Sequence, residues 1–406
     1  MNKHPLTKNE VFNLLTEISI ESLGSEKIEL FEAEGRILSS DIISSINLPP
    51  FNNSAVDGYA IHNDNLRDYM KLKCTKRVTA GDQAKIFLKT NEVVRIFTGA
   101  RMPNNSNTVI MQENAIIDGD YIIMSKIPQL GENCRLIGED VSKGDKILQC
   151  GEKINATNIN LIAAVGKKYV EVKKKLKVGY FTSGNELTEP SEKLEGSKIN
   201  NSNRYSLQSL LNDSYIVSNY LGILADSKDK IIESLTENIN DYGVLITTGG
   251  ASVGEEDHLI DVIKEKGRIY FWKTAIKPGR PLAIGQINET IIVCLPGNPV
   301  SVHLLCGMII KPFLEFLCGS KMNKPKSFKA IVNFSMKKKT KRLEWVRVTL
   351  DQNNLETIYV NKYQKQGSGM ISSIAFSDGI IEIPESVSKI NRGEKFDFYL
   401  FDQLFN

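Results

Sequence analysis

Three segments of the chain share one order of features: a short apolar run rich in β-forming residues, a turn of Gly, Ser, Pro or Asn, and a sequence suited to a helix. They are residues 178–186, 244–257 and 291–300. Alternating strands and helices predict an open, mostly parallel sheet, in which such turns meet at the carboxyl ends of the strands, where ligands bind. The repetition therefore predicts one ligand-binding crevice, suited to an anion.

The middle segment is the most explicit of the three. Its apolar run at 244–246 leads into the flexible sequence TTGGASVG at 247–254, whose backbone amides can close on phosphate oxygens. It is not a Walker loop, because Glu255 stands where that motif requires Lys. The loop residues that we expect to bind substrate are Gly249, Gly250, Ser252 and Gly254.

Three acidic residues, 255–257, follow this loop. Carboxylates beside a phosphate would repel it unless a hard cation lies between them, and Mg²⁺ is the usual bridge. This argument predicts a divalent metal site near Asp257. The acidic residues are equally compatible with a simpler role, in which they favour the positive end of the following helix.

A basic segment at 273–281 and a turn at 295–299 contain the next candidate residues. Lys273, Lys277 and Arg280 suit an anionic substrate, although surface lysines are more often only solvated. The turn contains Pro296 and Pro299, which predict a rigid wall for a pocket. An ordinary strand-to-helix turn is the alternative there.

Several motifs occur in the order typical of a known family. They are LPPFNNSAVDGYA at 48–60, RIFTGA at 95–100, Arg135 with GED at 138–140, SGNEL at 183–187, the loop at 249–254 with Asp257, KPGRP at 277–281, PGNP at 296–299 and QGS at 366–368. The chain thus resembles, over essentially its whole length, the MoeA family of molybdopterin molybdenumtransferases, which is related to the E domain of gephyrin. The resemblance implies insertion of molybdate into adenylylated molybdopterin, with release of AMP.

The family also implies roles for individual residues. Asp257 and Glu186 would organise Mg²⁺ and the phosphate being cleaved, with Asp226 nearby. Lys277, Arg347 and Ser368 would hold molybdate, and Lys273 would position the pterin or a phosphate. Arg280, Pro296 and Pro299 complete the expected substrate-binding set.

Four further positions match family site residues in the N-terminal half: Asp57, Thr98, Arg135 and Asp140. The family explains their distance along the chain by homodimerisation, in which each subunit completes the site of the other. A turn or capping role is the alternative for the two carboxylates. Asn52 and Asn201 stand where the family usually has Asp, which puts in doubt only the strength of metal or substrate binding.

The pattern of elements predicts a multi-domain α/β plus β protein. A helix begins near residues 6–10, and a β-rich domain occupies about 45–145 within an N-terminal region of 1–176. A doubly wound α/β domain covers 177–320, and a small β domain covers 326–406. The resemblance implies that the α/β domain is molybdopterin-binding-like.

Composition limits the partners. A formal charge of only +3, from 51 basic and 48 acidic residues, gives no general attraction to nucleic acid or membrane. The basic run at 336–342 is interpreted as a solvated turn or edge. Six dispersed cysteines without a CxxC pair predict neither a zinc knuckle nor disulfides. The N terminus lacks the apolar core of a signal peptide, so we expect a cytoplasmic location.

Two other functions stay open from the sequence. One is a non-catalytic scaffold of the gephyrin type, which no long linker or fused second domain supports. The other is a different nucleotide-handling enzyme with the same α/β domain, such as the molybdopterin adenylyltransferase that acts one step earlier or a pyrophosphatase. The stand-alone adenylyltransferase lacks the N- and C-terminal regions found here, and the same enzyme is a possible upstream partner.

Overall fold

The structure, a computed structural model, describes residues 4–64, 66–82, 85–225, 227–250, 258–338, 341–351 and 357–405. Its N-terminal region contains α1 (Lys8–Leu15), β1 (Ser25–Glu29), β2 (Ile42–Ile43), β3 (Asn53–Ser54), β4 (Gly58–Ile61), β5 (Lys71–Val78), β6 (Glu92–Ile96), β7 (Thr108–Met111), β8 (Ala115–Asp118), β9 (Tyr121–Met124), β10 (Cys134–Arg135), β11 (Lys146–Leu148), α2 (Ala156–Ala164) and β12 (Tyr169–Lys173).

The predicted start of the first helix is confirmed. The Thr7 hydroxyl accepts a hydrogen bond from the Glu10 amide, and the Glu10 carboxylate accepts one from the Thr7 amide, which satisfies two free amides of the first turn. The β-rich domain is a six-stranded sheet in the order β7-β4-β6-β5-β9-β8. The antiparallel pairs β1–β12 and β2–β11 lie outside this sheet and join its flanking segments.

The central domain has a six-stranded sheet in the order β16-β13-β17-β21-β20-β18, of which the first four strands are parallel. Its elements are β13 (Leu176–Ser183), β14 (Leu187–Thr188), β15 (Ile199–Asn200), α3 (Ser202–Leu210), β16 (Ile216–Leu224), α4 (Lys228–Asn238), β17 (Val244–Thr248), α5 (His258–Lys266), β18 (Arg268–Trp272), β19 (Ile276–Lys277), β20 (Ala283–Ile287), β21 (Thr290–Leu295), α6 (Pro299–Leu305) and α7 (Lys311–Leu317).

Apolar clusters cover both faces of this sheet. Ile246 and Val293 pack in the cluster that includes side chains of α3, α6 and α7, whereas Leu245 and Ile292 pack with α4 and α5. Strands buried on both faces need continuous apolar sequence, which is why the runs at 244–246 and 291–293 show no alternation. The predicted doubly wound α/β fold is confirmed.

One helical stretch, Pro299–Leu317, is apolar and long enough to cross a membrane by length and composition. It consists of α6, a π-helical turn at Cys306–Ile310 and α7. Of its most apolar window, 72% is buried inside the protein. It therefore serves as a core helix of the central domain.

The C-terminal elements are β22 (Phe328–Val332), β23 (Met336–Lys337), β24 (Leu343–Leu350), β25 (Tyr359–Lys362), α8 (Ser372–Ala375), β26 (Gly379–Ile383), β27 (Lys389–Ile390), β28 (Lys395–Leu400) and α9 (Phe401–Phe405). Strands β24, β25, β22, β28 and β26 pair in that order, and β26 pairs back with β24, which closes a small barrel. Strand β19 of the central domain adds to β24 in parallel. This pairing places the basic segment 273–281 against the barrel.

An ion pair connects the first helix with the barrel. The Lys8 ammonium lies 2.5 Å from the Glu382 carboxylate, and both side chains are largely buried. Burial opposes the charge on Lys8, but Glu382 and Tyr399 outweigh it and raise the pKa of Lys8 above its ordinary value. Glu382 also accepts a hydrogen bond from the Trp345 indole at 2.9 Å.

Replacing Lys8 by Met should lower the free energy of unfolding by about 2–3 kcal/mol, because it leaves the Glu382 carboxylate buried without its counterion. Urea unfolding followed by circular dichroism measures the shift. Lys71→Met is the matched control, since Lys71 pairs with Asp118 while both side chains are about half exposed. Its expected cost is below about 1 kcal/mol. Equal midpoints for the two variants would contradict the structural role of Lys8.

Candidate active site

A pocket of about 380 Å³ lies between the central domain and the C-terminal barrel. Four segments form it: the basic loop after β19, the turn after β21, strand β24, and the loop before α8. The lining residues are Lys277, Pro278, Gly279, Arg280, Pro281, Pro296, Asn298, Ser301, Arg342, Glu344, Trp345, Arg347, Gln366, Gly367 and Ser368.

Local packing fixes the basic loop in this pocket. Pairing of β19 with β24 sets Lys277 beside Glu344, and the Lys277 ammonium lies 2.8 Å from a Glu344 carboxylate oxygen. The Thr274 hydroxyl donates a hydrogen bond to the Gly279 carbonyl at 3.0 Å. At Gly279 φ is +130°, and a Cβ there would lie 2.9 Å from the side chain of Leu305, so only glycine fits.

Arg347 is the most buried cation of the pocket, at 2% exposure. Its guanidinium donates from Nε to the Ser373 hydroxyl at 3.1 Å and from Nη2 to the Gly367 carbonyl at 3.2 Å. Burial lowers the pKa of Arg347 to about 10, while Glu344 acts in the opposite direction. The group is therefore still protonated at neutral pH and ties strand β24 to the loop that contains Ser368.

The lining is strongly cationic. It contains the cations Lys277, Arg280, Arg342 and Arg347 and one carboxylate, Glu344, a formal excess of three positive charges among the described residues. An excess of positive charge in a pocket of this size favours a small oxyanion. Five residues proposed from the sequence meet here, although they come from the four separate segments that form the pocket: Lys277, Arg280, Pro296, Arg347 and Ser368.

The sequence interpretation missed Arg342 and Glu344 as lining residues. The basic run at 336–342 was expected to be solvated, which is wrong for two of its members. Lys338 is 8% exposed and donates to the Pro384 carbonyl, and Arg342 lines the pocket. Burial lowers the pKa of both side chains. The signal that could have indicated Glu344 is a carboxylate three residues before Arg347 in a strand whose other residues, except Thr349, are apolar.

The three predicted turns meet at the carboxyl edge of the central sheet. A Cβ on Gly249 would lie 2.7 Å from the Ser183 carbonyl, and one on Gly297 would lie 3.7 Å from the Gly249 Cα. The Gly249 amide donates to the Leu295 carbonyl at 3.0 Å. Gly250 follows with φ +68°. These glycines allow three backbone segments to approach closely at one edge.

Polar atoms at this edge are buried without partners among the described residues. They are the hydroxyls of Thr247 and Thr248, at the end of β17, and the Asn203 amide oxygen. The Asn203 amide nitrogen donates to the Gly297 carbonyl at 2.8 Å, which ties α3 to the turn after β21. The edge thus offers hydrogen-bonding capacity that the described part of the chain leaves unused.

Asn201, one of the two positions where the family usually has Asp, has a structural role. It is fully buried and caps α3, and its amide nitrogen donates to the Thr182 hydroxyl at 2.9 Å and to the Tyr220 hydroxyl at 3.1 Å. A carboxylate cannot donate these bonds. Asn52, the other of these positions, accepts a hydrogen bond from the Ile137 amide at 2.8 Å.

The residues expected to hold a metal are described only in part. Glu186 is exposed, and its carboxylate folds back over the turn so closely that a Cβ on Gly184 would lie 2.5 Å from it. Asp226, Ser252, Gly254 and Asp257 lie outside the described residues. Among the residues that are described, no three His, Cys, Asp or Glu side chains cluster in a way that would hold a metal.

Two candidates lie near the pocket without lining it. Lys273 has φ +76°, its backbone amide donates to the Leu282 carbonyl at 3.0 Å, and its ammonium lies 4.0 Å from the centre of the Trp272 ring. Pro299 is the first residue of α6 and directly follows Asn298 of the lining.

The N-terminal candidates lie in the β-rich domain. The Thr98 amide and hydroxyl both donate to the Asp57 carboxylate at 2.8 Å, and these bonds lower the pKa of Asp57. Arg135, in β10, is exposed, and so is Asp140, whose amide donates to the Leu48 carbonyl at 3.0 Å. None of these four lines the pocket. A single chain therefore does not bring the N-terminal candidates into the pocket that Lys277, Arg347 and Ser368 line.

Comparison with protein families accounts for nearly the whole chain. Residues 7–166 match the family described as MoeA N-terminal region (domain I and II), residues 179–315 match a probable molybdopterin binding domain, and residues 329–401 match MoeA C-terminal region (domain IV).

Individual proteins agree with this assignment. A molybdopterin molybdenumtransferase of Haemophilus influenzae is 34% identical over 94% of this chain and 95% of its own length. A putative molybdopterin biosynthesis protein of Methanocaldococcus jannaschii is 33% identical over 98% of both chains. Among solved structures, the molybdopterin biosynthesis moeA protein of Pyrococcus horikoshii OT3 superposes with a TM-score of 0.83 at 31% identity, covering 98% of this chain and 100% of that one.

Proposed function

Because this chain belongs to the MoeA family, we propose that it is a molybdopterin molybdenumtransferase that inserts molybdate into adenylylated molybdopterin and releases AMP. The observation that carries the proposal is the cationic pocket between the central domain and the barrel. Its charge and size suit a tetrahedral dianion, and it lies beside the Pro296–Asn298 part of the turn that meets the other two at the sheet edge.

In this proposal the pocket holds molybdate. Lys277 and Arg347 supply charge, and Ser368 adds a hydroxyl donor without further charge. Arg280 and Arg342 extend the positive potential toward the pocket mouth. Several fixed donors around one small anion offset the repulsion that it meets from the phosphates of the second substrate.

The carboxyl edge of the sheet is proposed to bind the pyrophosphate and nucleotide of the second substrate. The backbone amide of Gly250 suits a phosphate oxygen, and so does the Thr248 hydroxyl, which has no partner among the described residues. The Gly249 amide is already bonded to the Leu295 carbonyl, so Gly249 contributes through the close approach that its missing side chain allows. Glu186 and Asp257 are proposed to hold Mg²⁺, with Asp226 nearby; their oxygen donors match the ligand preference of that ion. When bound, Mg²⁺ would offset the phosphate charge. Lys273 is proposed to contact the pterin or a phosphate.

Four N-terminal residues, of which Asp57 is half-buried and the others are exposed, are proposed to complete the site of a second subunit in a homodimer: Asp57, Thr98, Arg135 and Asp140. The arrangement is supported by their absence from the lining of the pocket in their own chain. We also propose that the protein acts in the cytoplasm on small molecules, after a molybdopterin adenylyltransferase has supplied the adenylylated substrate.

Incubation with adenylylated molybdopterin, molybdate and Mg²⁺ is expected to release AMP, measured by chromatography. Omitting molybdate should suppress the yield of molybdenum cofactor, and omitting Mg²⁺ should slow AMP release. As a control, ATP and metal-free molybdopterin should give no adenylylated product, which separates this activity from that of the adenylyltransferase. Absence of AMP release with all components present would refute the proposed function.

A further inference from the structure

Glu344 is anomalous in an anion-binding pocket. It is the one carboxylate among the described lining residues, and it would repel the oxyanion that the pocket is proposed to bind. It is also 8% exposed, and one of its oxygens is buried without a hydrogen-bond partner among the described residues. A buried carboxylate with only one of its oxygens hydrogen-bonded lowers the free energy of unfolding, so a contribution to stability does not explain the presence of Glu344 in the pocket.

Its surroundings show what it contacts. The other carboxylate oxygen accepts a hydrogen bond from the Lys277 ammonium at 2.8 Å. Lys338, Arg342 and Arg347 also lie within its electrostatic reach, because Glu344 acts to raise the pKa of each of them. Glu344 is thus the shared counterion of four cations, three of which line the pocket, and it forms a direct bond with Lys277.

We propose that Glu344 is a positioning residue that sets the charge of the oxyanion pocket. It aims the Lys277 ammonium and offsets part of the positive charge, so that the pocket binds its oxyanion reversibly and can pass it on. Without that offset, the cations would stabilise the bound oxyanion more than the transition state of its transfer, and turnover would slow. This inference rests on the proposed function, which supplies the oxyanion.

Binding of molybdate alone tests the inference, measured by equilibrium dialysis on the full chain. Glu344→Gln retains an oxygen that accepts the Lys277 bond but removes the negative charge. We expect its Kd for molybdate to fall about five- to tenfold, because the pocket gains one net positive charge at constant shape. Glu344→Asp keeps the charge but is too short to hold Lys277, and its Kd should rise about threefold or more.

Turnover distinguishes this role from a merely structural one. For Glu344→Gln, KM for molybdate and kcat for AMP release should fall together, since tighter ground-state binding lowers both. Glu315→Gln is the matched control. The Glu315 carboxylate lies 3.0 Å from the Lys153 ammonium, and Glu315 does not line the pocket. This variant should leave Kd, KM and kcat at the values of the unmodified protein.

The outcomes separate the two proposals. If the unmodified protein binds no molybdate, the proposed function of the pocket fails. If it binds molybdate and Glu344→Gln binds it equally or more weakly, the inference about Glu344 is overturned while the function stands. If Glu344→Gln does not fold, the test is made with Glu344→Asp. A Kd for molybdate equal to that of the unmodified protein then overturns the inference.

Discussion

Replacement of Arg347 by Met is expected to lower kcat/KM for AMP release at limiting molybdate by about 10²–10³-fold, the range seen when one fixed donor to a developing charge is removed. Arg347 is fully buried at the pocket wall, so its charge acts on a bound oxyanion with little screening by solvent. Steady-state kinetics with varied molybdate measures the loss, and equilibrium dialysis shows whether molybdate binding falls with it.

Two variants separate charge from geometry at this position. Arg347→Lys keeps a cation but cannot reach Ser373 and the Gly367 carbonyl with a planar fork, so an intermediate loss is expected. Ser373→Ala removes only the partner of Nε and should cost much less. If Arg347→Met folds normally and retains the activity of Arg347→Lys, the charge has no role in oxyanion binding.

The fold of the central domain was predictable because its signals are local. Residues 244–248 and 290–295 form strands buried on both faces, and their turns need glycine at fixed places such as Gly249. Burial on both faces makes a strand continuously apolar, and a positive φ favours glycine, so both requirements are visible in the chain itself.

The pocket was only partly predictable, because its walls come from different domains. The basic segment at 273–281 indicates Lys277 as a candidate for anion binding, but Arg347 was assigned only through resemblance to a family. No spacing between the two residues indicates that they meet. The contact depends on the pairing of β19 with β24, a tertiary event that neither segment encodes alone. The same pairing buries Glu344 and carries Arg342 to the pocket, which is why a basic run that looked solvated contributes a lining residue.

Among the carboxylates, the largest effect is expected for those that we propose as metal ligands. Glu186→Gln is expected to lower the rate of AMP release by about 10²-fold or more, because an amide is a weak ligand for Mg²⁺ and leaves the pyrophosphate charge uncompensated. Molybdate binding in the absence of the pterin substrate should be unchanged. Titration of AMP release with Mg²⁺ measures the effect, and Glu195→Gln, which alters an exposed residue of the same connection, should behave as the unmodified protein.

Asp257→Asn decides between the two interpretations of the acidic run at 255–257. If Asp257 shares one ion with Glu186, the single variants should lose similar activity, and the double variant should lose little more, because removal of either ligand disables the same unit. If Asp257 only favours the positive end of α5, its replacement should cost less than about tenfold, leave the Mg²⁺ titration unchanged and add to the loss from Glu186→Gln. Additive losses with an unshifted Mg²⁺ midpoint would therefore exclude a shared metal.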